Sequence, residues 1–382
     1  MIISFLLMNI LVFVADIVNG IFYPNLPIYA NNIGTSIFLL SIIVASGGIA
    51  NMISHLYLGP IADIKGRKIV QIIGLILFIS CPLITTLINI PQLLIIPYLL
   101  NGAGIILFSM AMAYVGDISK PSEIDKRMGI LMVSQGLGLS IGPIIGGYII
   151  SNYGFKPAFY LATILGIIAL LVAIIIKEES INRIQIEKKP FWATSKEILR
   201  DKVILSVSLI GILSMFAYRG VISFVPIYSI ELGITVGMLN VIIGIRTIFS
   251  TIARLPAGYL SGRLKRKTLI FISVILASLS YLVLHFAETT EILLLGVILE
   301  GISFGIFLTV SRALIVSTAK KSERTTTLGV FNAISYPGQT ILLLGLGVIG
   351  QMSDLKTVFL ISSIIIAILG VLSSYELNRN SD

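Results

Sequence analysis

Twelve apolar runs of 20 residues or more leave this 382-residue chain few ways to fold. A helix needs about 20 residues to cross the hydrocarbon layer of a membrane. The runs lie near 2–24, 36–58, 69–88, 93–115, 129–151, 156–176, 203–226, 235–258, 268–287, 291–317, 327–350 and 356–375. Hydrocarbon offers no water to bond the backbone, so each run must satisfy its own N–H and C=O groups, as an α-helix does. The charged share is 12%, about half that of a soluble domain. The expected fold class is an all-α polytopic membrane protein with twelve transmembrane helices. The first run, MIISFLLMNILVFVADIVNGIFYP, has no positive leader and no small-residue cleavage site. It is expected to stay as a span rather than leave as a signal peptide.

The distribution of charge predicts orientation. Of 27 Lys and Arg residues, 21 fall in the connections after spans 2, 4, 6, 8 and 10 and in the C-terminal tail. Lys156 and Lys356 alone occupy the other side, and Arg219, Arg246, Arg254 and Arg312 fall inside apolar runs. Basic residues mark the cytoplasmic side, which predicts a cell-membrane protein with both termini and the connector at 177–202 in the cytoplasm. This pattern also accounts for the net charge of +9, so no nucleic-acid partner is expected. The connector separates six spans from six; its stretch 191–199 is either a surface helix, which Trp192 suits, or disordered. The single Cys81 rules out an internal disulfide, and two His with one Cys make a structural zinc site implausible. No metal and no cofactor is expected. Nor is an enzyme, since no phosphate loop or nucleophile constellation is present.

An internal repeat supports the six-plus-six division into 1–176 and 203–382. A shift of 199 residues places Leu26-Pro27-Ile28-Tyr29 on Val225-Pro226-Ile227-Tyr228, Gly34 on Gly233, and Gly59 on Gly258. The same shift places Arg67-Lys68 on Arg266-Lys267 and Asn101-Gly102 on Glu300-Gly301. Such a pattern fits parallel repeats related by an axis along the membrane normal. In the second copy Gly262 stands for Asp63 and Lys265 for Gly66, so any chemistry of the first loop should be asymmetric.

That first loop, GPIADIKGRK at 59–68, joins spans 2 and 3. Gly59 and Gly66 are expected to supply a tight turn. The pattern G-x-x-x-D-x-x-G-R-K, with Gly59, Asp63, Gly66, Arg67 and Lys68, resembles the loop signature of the major facilitator superfamily. The resemblance implies two pseudo-symmetric six-helix bundles, and a cytoplasmic latch in which Asp63, Arg67 and Asp117 pair their charges. Three solvated loop charges are the alternative. In span 5, Gly138, Gly142, Pro143, Gly146 and Gly147 form G-x-x-x-G-P-x-x-G-G, which is similar to the antiporter motif of drug:proton exporters in this superfamily. Glycines four apart also let a neighbouring helix approach closely. One position departs from the exporter pattern: Tyr98 stands where those proteins usually carry an Arg linked to proton transfer. Spans 3, 6, 9 and 12 lack interior charge, and in the superfamily these four pack on the outside.

Ionisable groups inside a span are costly, by roughly 2.5–3.5 kcal/mol or more at the bilayer centre, and so mark function. They are Asp16 in span 1, Arg219 in span 7, Arg246 in span 8, and Glu300 and Arg312 in span 10. Arg254 lies nearer the end of span 8, and His55, its repeat counterpart, is read as loop-facing. Asp16 shares a helix face with Asn19 and Tyr23. Asp16 and Glu300 are candidates for carrying protons or for structural ion pairs. Asn19, Tyr23, Asn101, Arg219, Arg246 and Arg312 are candidates for lining the substrate cavity. Three arginines against two acids favour an organic anion, zwitterion or amphiphile over a purely cationic drug. The expected activity is alternating-access transport of a small organic molecule, as proton-coupled efflux by a monomer in the lipid bilayer. The alternatives are an organic-anion carrier or uniporter without proton antiport and, from another class, a non-transporting receptor or assembly protein.

Overall fold

In a computed structural model, which describes residues 2–120, 123–177, 200–261, 264–318 and 324–379, every one of the twelve runs is helical. Span 1 is Ile2–Phe22, continued by a single 3-10 turn at Tyr23–Asn25 and a short helix at Leu26–Asn32. Pro24 and Pro27 lack an N–H, so each sits in the first turn of a new segment, where none is needed. Spans 2 and 3 are Ile37–Lys65 and Arg67–Thr85. Span 4 is two helices, Ile95–Gly104 and Ile106–Asp117. Spans 5 and 6 are Ile124–Tyr153 and Phe155–Ile175, and spans 7 and 8 are Lys202–Glu231 and Val236–Leu260. Spans 9 to 12 are Arg266–His285, Thr290–Thr318, Arg324–Met352 and Leu355–Arg379.

The chain divides into two compact units. One is Met1–Asn182 with Pro226–Thr247; the other is Arg183–Val225 with Ile248–Asp382. In the first, span 1 packs on spans 5 and 6, span 2 on span 4, and span 3 on spans 4 and 6. Its core joins Met8, Leu11, Val12 and Ala15 to Phe78, Leu107, Ala111 and the alanines of span 6 at 158, 162 and 169. In the second, span 9 packs on spans 10 and 12, and span 11 on spans 10 and 12. The pairings of 3 with 4, 3 with 6 and 5 with 6 thus recur as 9 with 10, 9 with 12 and 11 with 12. Ile168 and Leu171 of span 6, with Ile368 and Leu372 of span 12, are among the exposed large aliphatic side chains and suit a lipid-facing surface.

Two local structures differ from the sequence expectation. The 59–68 stretch is not a two-glycine turn: helix continues through Gly59 to Lys65, and Gly66 alone breaks it, at φ 116° and ψ 146°. One residue in that region suffices to redirect the chain, so the second glycine is not needed. A Cβ at Gly59 would meet nothing within 4 Å. Span 4 is broken rather than continuous. Gly102 lies directly against the backbone of Gly47, and a Cβ at Gly104 would sit 2.7 Å from the Phe78 nitrogen. The connector stretch 191–199 and the side chain of Asp63 lie outside the described residues.

Aspartate side chains cap the starts of spans 7 and 12. Asp201 Oδ1 accepts from the N–H groups of Val203 (2.8 Å) and Ile204 (3.2 Å), and Asp354 Oδ1 from that of Thr357 (2.7 Å). The Thr357 side chain first, and its backbone N–H second, hold the Asp354 carboxyl below the usual carboxylate range. A depressed folded pKa stabilises the protein above the unfolded value, and the effect is lost as pH falls through the folded one. Asp354→Ala is therefore expected to lower stability by about 1 kcal/mol at neutral pH. The deficit should shrink below about pH 3.9, read by thermal unfolding in detergent. Gly66→Ala should cost about 1–3 kcal/mol, because φ and ψ there suit glycine almost alone. Gly59→Ala, in an open helix interior, should be neutral or gain roughly 0.5–1 kcal/mol by the same readout.

Candidate functional site

The glycines of span 5 seat span 1 backbone to backbone. A Cβ at Gly138 would strike the Phe13 carbonyl and lie 2.8 Å from the Cβ of Asp16. One at Gly142 would lie 2.5 Å from the Ile17 carbonyl oxygen, and one at Gly146 3.0 Å from the Cα of Ile21. Gly20 on span 1 answers in kind, since a Cβ there would meet Pro143 Cδ at 2.6 Å. Asp16 is thereby sealed, at 2% exposure, against span 5. Farther along, Ser134 donates to Asn9 Oδ1 at 2.9 Å, adding a hydrogen bond to the same helix pair.

At the far end of this seam two buried amides clasp each other. Asn25 Nδ2 donates to Asn240 Oδ1 at 2.9 Å, and Asn240 Nδ2 donates to Asn25 Oδ1 at 2.7 Å. Each also donates to its own helix, Asn25 to the Ile21 carbonyl and Asn240 to that of Val236, both at 2.8 Å. Both residues are fully buried. The glycines make room for them: a Cβ at Gly147 would collide with Asn240, and one at Gly146 would lie 3.3 Å from Asn25 Nδ2. Gly237 and Gly244 of span 8 face Ser151 and Ser140 of span 5 in the same way.

At the opposite, basic end, Arg67 Nε lies 3.5 Å from Asp117 Oδ2, and both side chains are partly exposed. The pair joins the start of span 3 to the end of span 4. Lys68 Nζ donates to the Ile174 carbonyl at 2.6 Å, satisfying a terminal carbonyl of span 6. Arg127 bridges to Glu123 at 2.8 Å and lies over the Phe5 ring.

Between these ends, spans 2 and 4 share a polar ladder. Asn51 donates to the Gly102 carbonyl at 3.2 Å and Ser54 to that of Ala103 at 2.9 Å. His55 corrects the loop-facing expectation: its Nδ1 lies 2.9 Å from the Asn51 carbonyl and its Nε2 2.9 Å from the Ser109 hydroxyl. The carbonyl can only accept, so Nδ1 carries a proton there. Gly102 brings span 4 close enough for a ring on span 2 to reach it. Tyr98, at the position where the resemblance implies an Arg, is buried and meets Tyr23 edge-on at 6.1 Å between centroids. Asn101 is buried and Asn19 half-buried.

The remaining charges divide by accessibility. Arg246 and Glu300 are 2% and 1% exposed. Arg219 and Arg312, in the second unit, are half-buried. Tyr336 on span 11 lies within electrostatic range of both. The ring of Tyr218 stacks on Phe304 at 4.7 Å, and the Arg219 guanidinium stands 5.9 Å from the Tyr218 ring centroid.

Twelve helices with a half-chain repeat, a charge-paired loop and a glycine-seated fifth span agree with one sequence family. The model of the Major Facilitator Superfamily matches residues 8–244 and 207–380. The chain belongs to the Major Facilitator Superfamily. An uncharacterized MFS-type transporter of Methanocaldococcus jannaschii is 22% identical over 365 residues, covering 94% of each chain. Multidrug resistance protein 2 of Bacillus subtilis is 29% identical over 172 residues, 45% of this chain and 43% of its own. In three dimensions, a D-xylose-proton symporter superposes with a TM-score of 0.80 at 15% identity, over 98% of this chain and 97% of its own. This superfamily member is a transporter and not an enzyme, a multi-pass membrane protein that takes a small-molecule substrate.

Sequence reasoning missed Asn25 and Asn240. They are 215 residues apart and unrelated by the repeat, which pairs Asn25 with Phe224 and Ser41 with Asn240. The available signal was a polar amide near the end of each of two spans beside a glycine-rich third. In this superfamily member, Asn240→Ala is expected to cost about 1–3 kcal/mol by stranding the Asn25 amide. A double-mutant cycle with Asn25→Ala should return a coupling of about 0.5–2 kcal/mol. Chemical unfolding in detergent measures both, and additive losses would show that the clasp contributes nothing as a pair.

Proposed function

We propose that this chain moves a small organic solute by alternating access, as proton-coupled efflux. The contact between Gly138 and Asp16 carries the reading. It puts the glycine run that resembles the antiporter motif and a sealed carboxylate into a single helix seam. Gaining or losing a proton there changes the charge buried between spans 1 and 5, and so the energy of keeping them together. A proton is thereby coupled to helix movement. Glu300, sealed in the second unit, is the second carrier candidate. The name of the Bacillus subtilis relative, a multidrug resistance protein, supports outward transport of organic molecules.

Asn19, Tyr23, Asn101, Arg219, Arg246 and Arg312 are the candidates for contact with the solute in this reading. Arg67 and Asp117, with Asp63, act as a latch at the cytoplasmic end, where Gly66 turns the chain and Lys68 ties span 3 to span 6. The protein works as a monomer in the cell membrane with both termini in the cytoplasm, as the basic connections support.

The test is proton movement in vesicles reconstituted with the full chain and loaded with a pH-sensitive dye, challenged with ethidium, 1-naphthoate and uridine. At least one should move protons through the wild type under a pH gradient. Asp16→Asn should abolish that movement while leaving binding of the same probe within about twofold, since Asp16 is sealed at 2% exposure and is not among the solute candidates. Undiminished pH-driven transport in Asp16→Asn would remove this carboxylate from the mechanism.

A further inference from the structure

Three of the charged groups inside the spans are half-buried: Arg219 and Arg312 in spans 7 and 10, and Arg254 in span 8. Asp16, Arg246 and Glu300 are sealed at 1–2% exposure, whereas Arg219 and Arg312 are half-buried. A guanidinium within a span does not hold that exposure toward hydrocarbon, which is strongly unfavourable; such groups face a wet cavity or the protein interior.

Depth along the helices orders these groups within the second unit. At 1.5 Å per residue from the basic ends, Arg312 stands about 9 Å deep, Tyr336 about 18 Å, Phe304 about 21 Å and Arg219 about 25 Å. In depth Tyr336 therefore stands between the two arginines, within electrostatic range of both. A long side chain at Arg312 is able to reach the interface, and Tyr336 lies within electrostatic range of it. Phe304 and Arg312 are eight residues apart and share a face of span 10. The stacked rings of Tyr218 and Phe304, also half-buried, lie next to the Arg219 guanidinium.

We propose that Arg219, Arg312 and Tyr336 form an anion subsite with Tyr218 and Phe304 as its aromatic wall, and that its ligand is an organic anion with a flat apolar body. The proposal rests on the transporter reading and names its substrate class. A guanidinium fork matches carboxylate, sulfonate or phosphate with two parallel hydrogen bonds. Two like charges held near one phenol repel, and an anion between them relieves that repulsion. The Tyr336 hydroxyl is a further donor, and the stacked rings take the apolar body. Each guanidinium has five donors, so contacts already made to the protein leave others for a ligand.

Calorimetric titration of the detergent-purified full chain tests this with 1-naphthoate, its neutral amide and 1-naphthylmethylammonium. Naphthoate should bind, the amide about tenfold more weakly and the cation not measurably. Arg219→Gln and Arg312→Gln should each weaken naphthoate about tenfold, and Tyr336→Phe about threefold. If a glutamine variant does not fold, the lysine variant at that position decides: it keeps the charge, loses the fork, and should still weaken naphthoate. The proposal is overturned by failure of naphthoate to bind, by equal binding of the cation, or by folded arginine variants that bind naphthoate within twofold of wild type. Repeating the titration in micelles containing phosphatidylglycerol separates a soluble anion from a lipid headgroup. Unchanged naphthoate affinity supports the proposal, and loss of binding that depends on Arg312 assigns the site to lipid instead. Naphthoate binding without any solute-driven proton movement would fail the transport reading and leave the subsite standing. Transport of ethidium alone, with no naphthoate binding, would do the reverse.

Discussion

Span 1 meets span 5 backbone to backbone, and much of the first unit's chemistry depends on that contact. Water does not drive helices together inside a membrane, because lipid tails are as apolar as the side chains that would be buried. Association must come from dispersion at short range and from hydrogen bonds between helices. Gly138, Gly142 and Gly146 give the first by removing the atoms that would hold span 1 away. Ser134 with Asn9, and Asn25 with Asn240, give the second at two levels of the bundle. Asp16 is sealed because the helices close around it; a larger residue at Gly138 would strike the Phe13 carbonyl first and then the Cβ of Asp16.

Burial then sorts the charges. A buried ionised group is tolerated only with compensating partners, so Asp16, Arg246 and Glu300 belong to the packed protein. Arg219 and Arg312 stay half-buried. In the proposed reading, that distinction would separate two jobs of a coupled transporter: sensing a proton within its own packing, and recognising a solute. Residue type alone does not separate them, since all five are simply charges in apolar runs.

The spans, the repeat and the loop pair were legible because each leaves a one-dimensional trace. Hydropathy marked all twelve helices, and the 199-residue shift anticipated pairings that recur in both units. Arg67 and Asp117 do meet, at 3.5 Å. Features fixed by close approach left no such trace. Gly59 and Gly66 look equivalent in sequence, yet only Gly66 adopts the backbone that needs glycine. His55 reads as a loop residue until Gly102 draws span 4 within reach of its ring. Asn25 and Asn240 have no repeat counterparts of their own type, so symmetry could not point to them.

The two ends of the first unit are consequently held by unequal means. At the basic end, Arg67 and Asp117 form a partly exposed ion pair, which contributes roughly 0–1 kcal/mol and weakens with salt. At the other end, two amides with no exposure make four hydrogen bonds. Separating span 8 from the turn after span 1 would strand both amides unless water entered, at about 1–3 kcal/mol for each unsatisfied group. An ion pair that is already wet loses little when it parts; a dry amide pair holds until water can replace each bond. The barrier to opening that end is therefore set by hydration, and the glycines at 146 and 147, which keep the seam dry, do as much to hold it shut as the amides themselves.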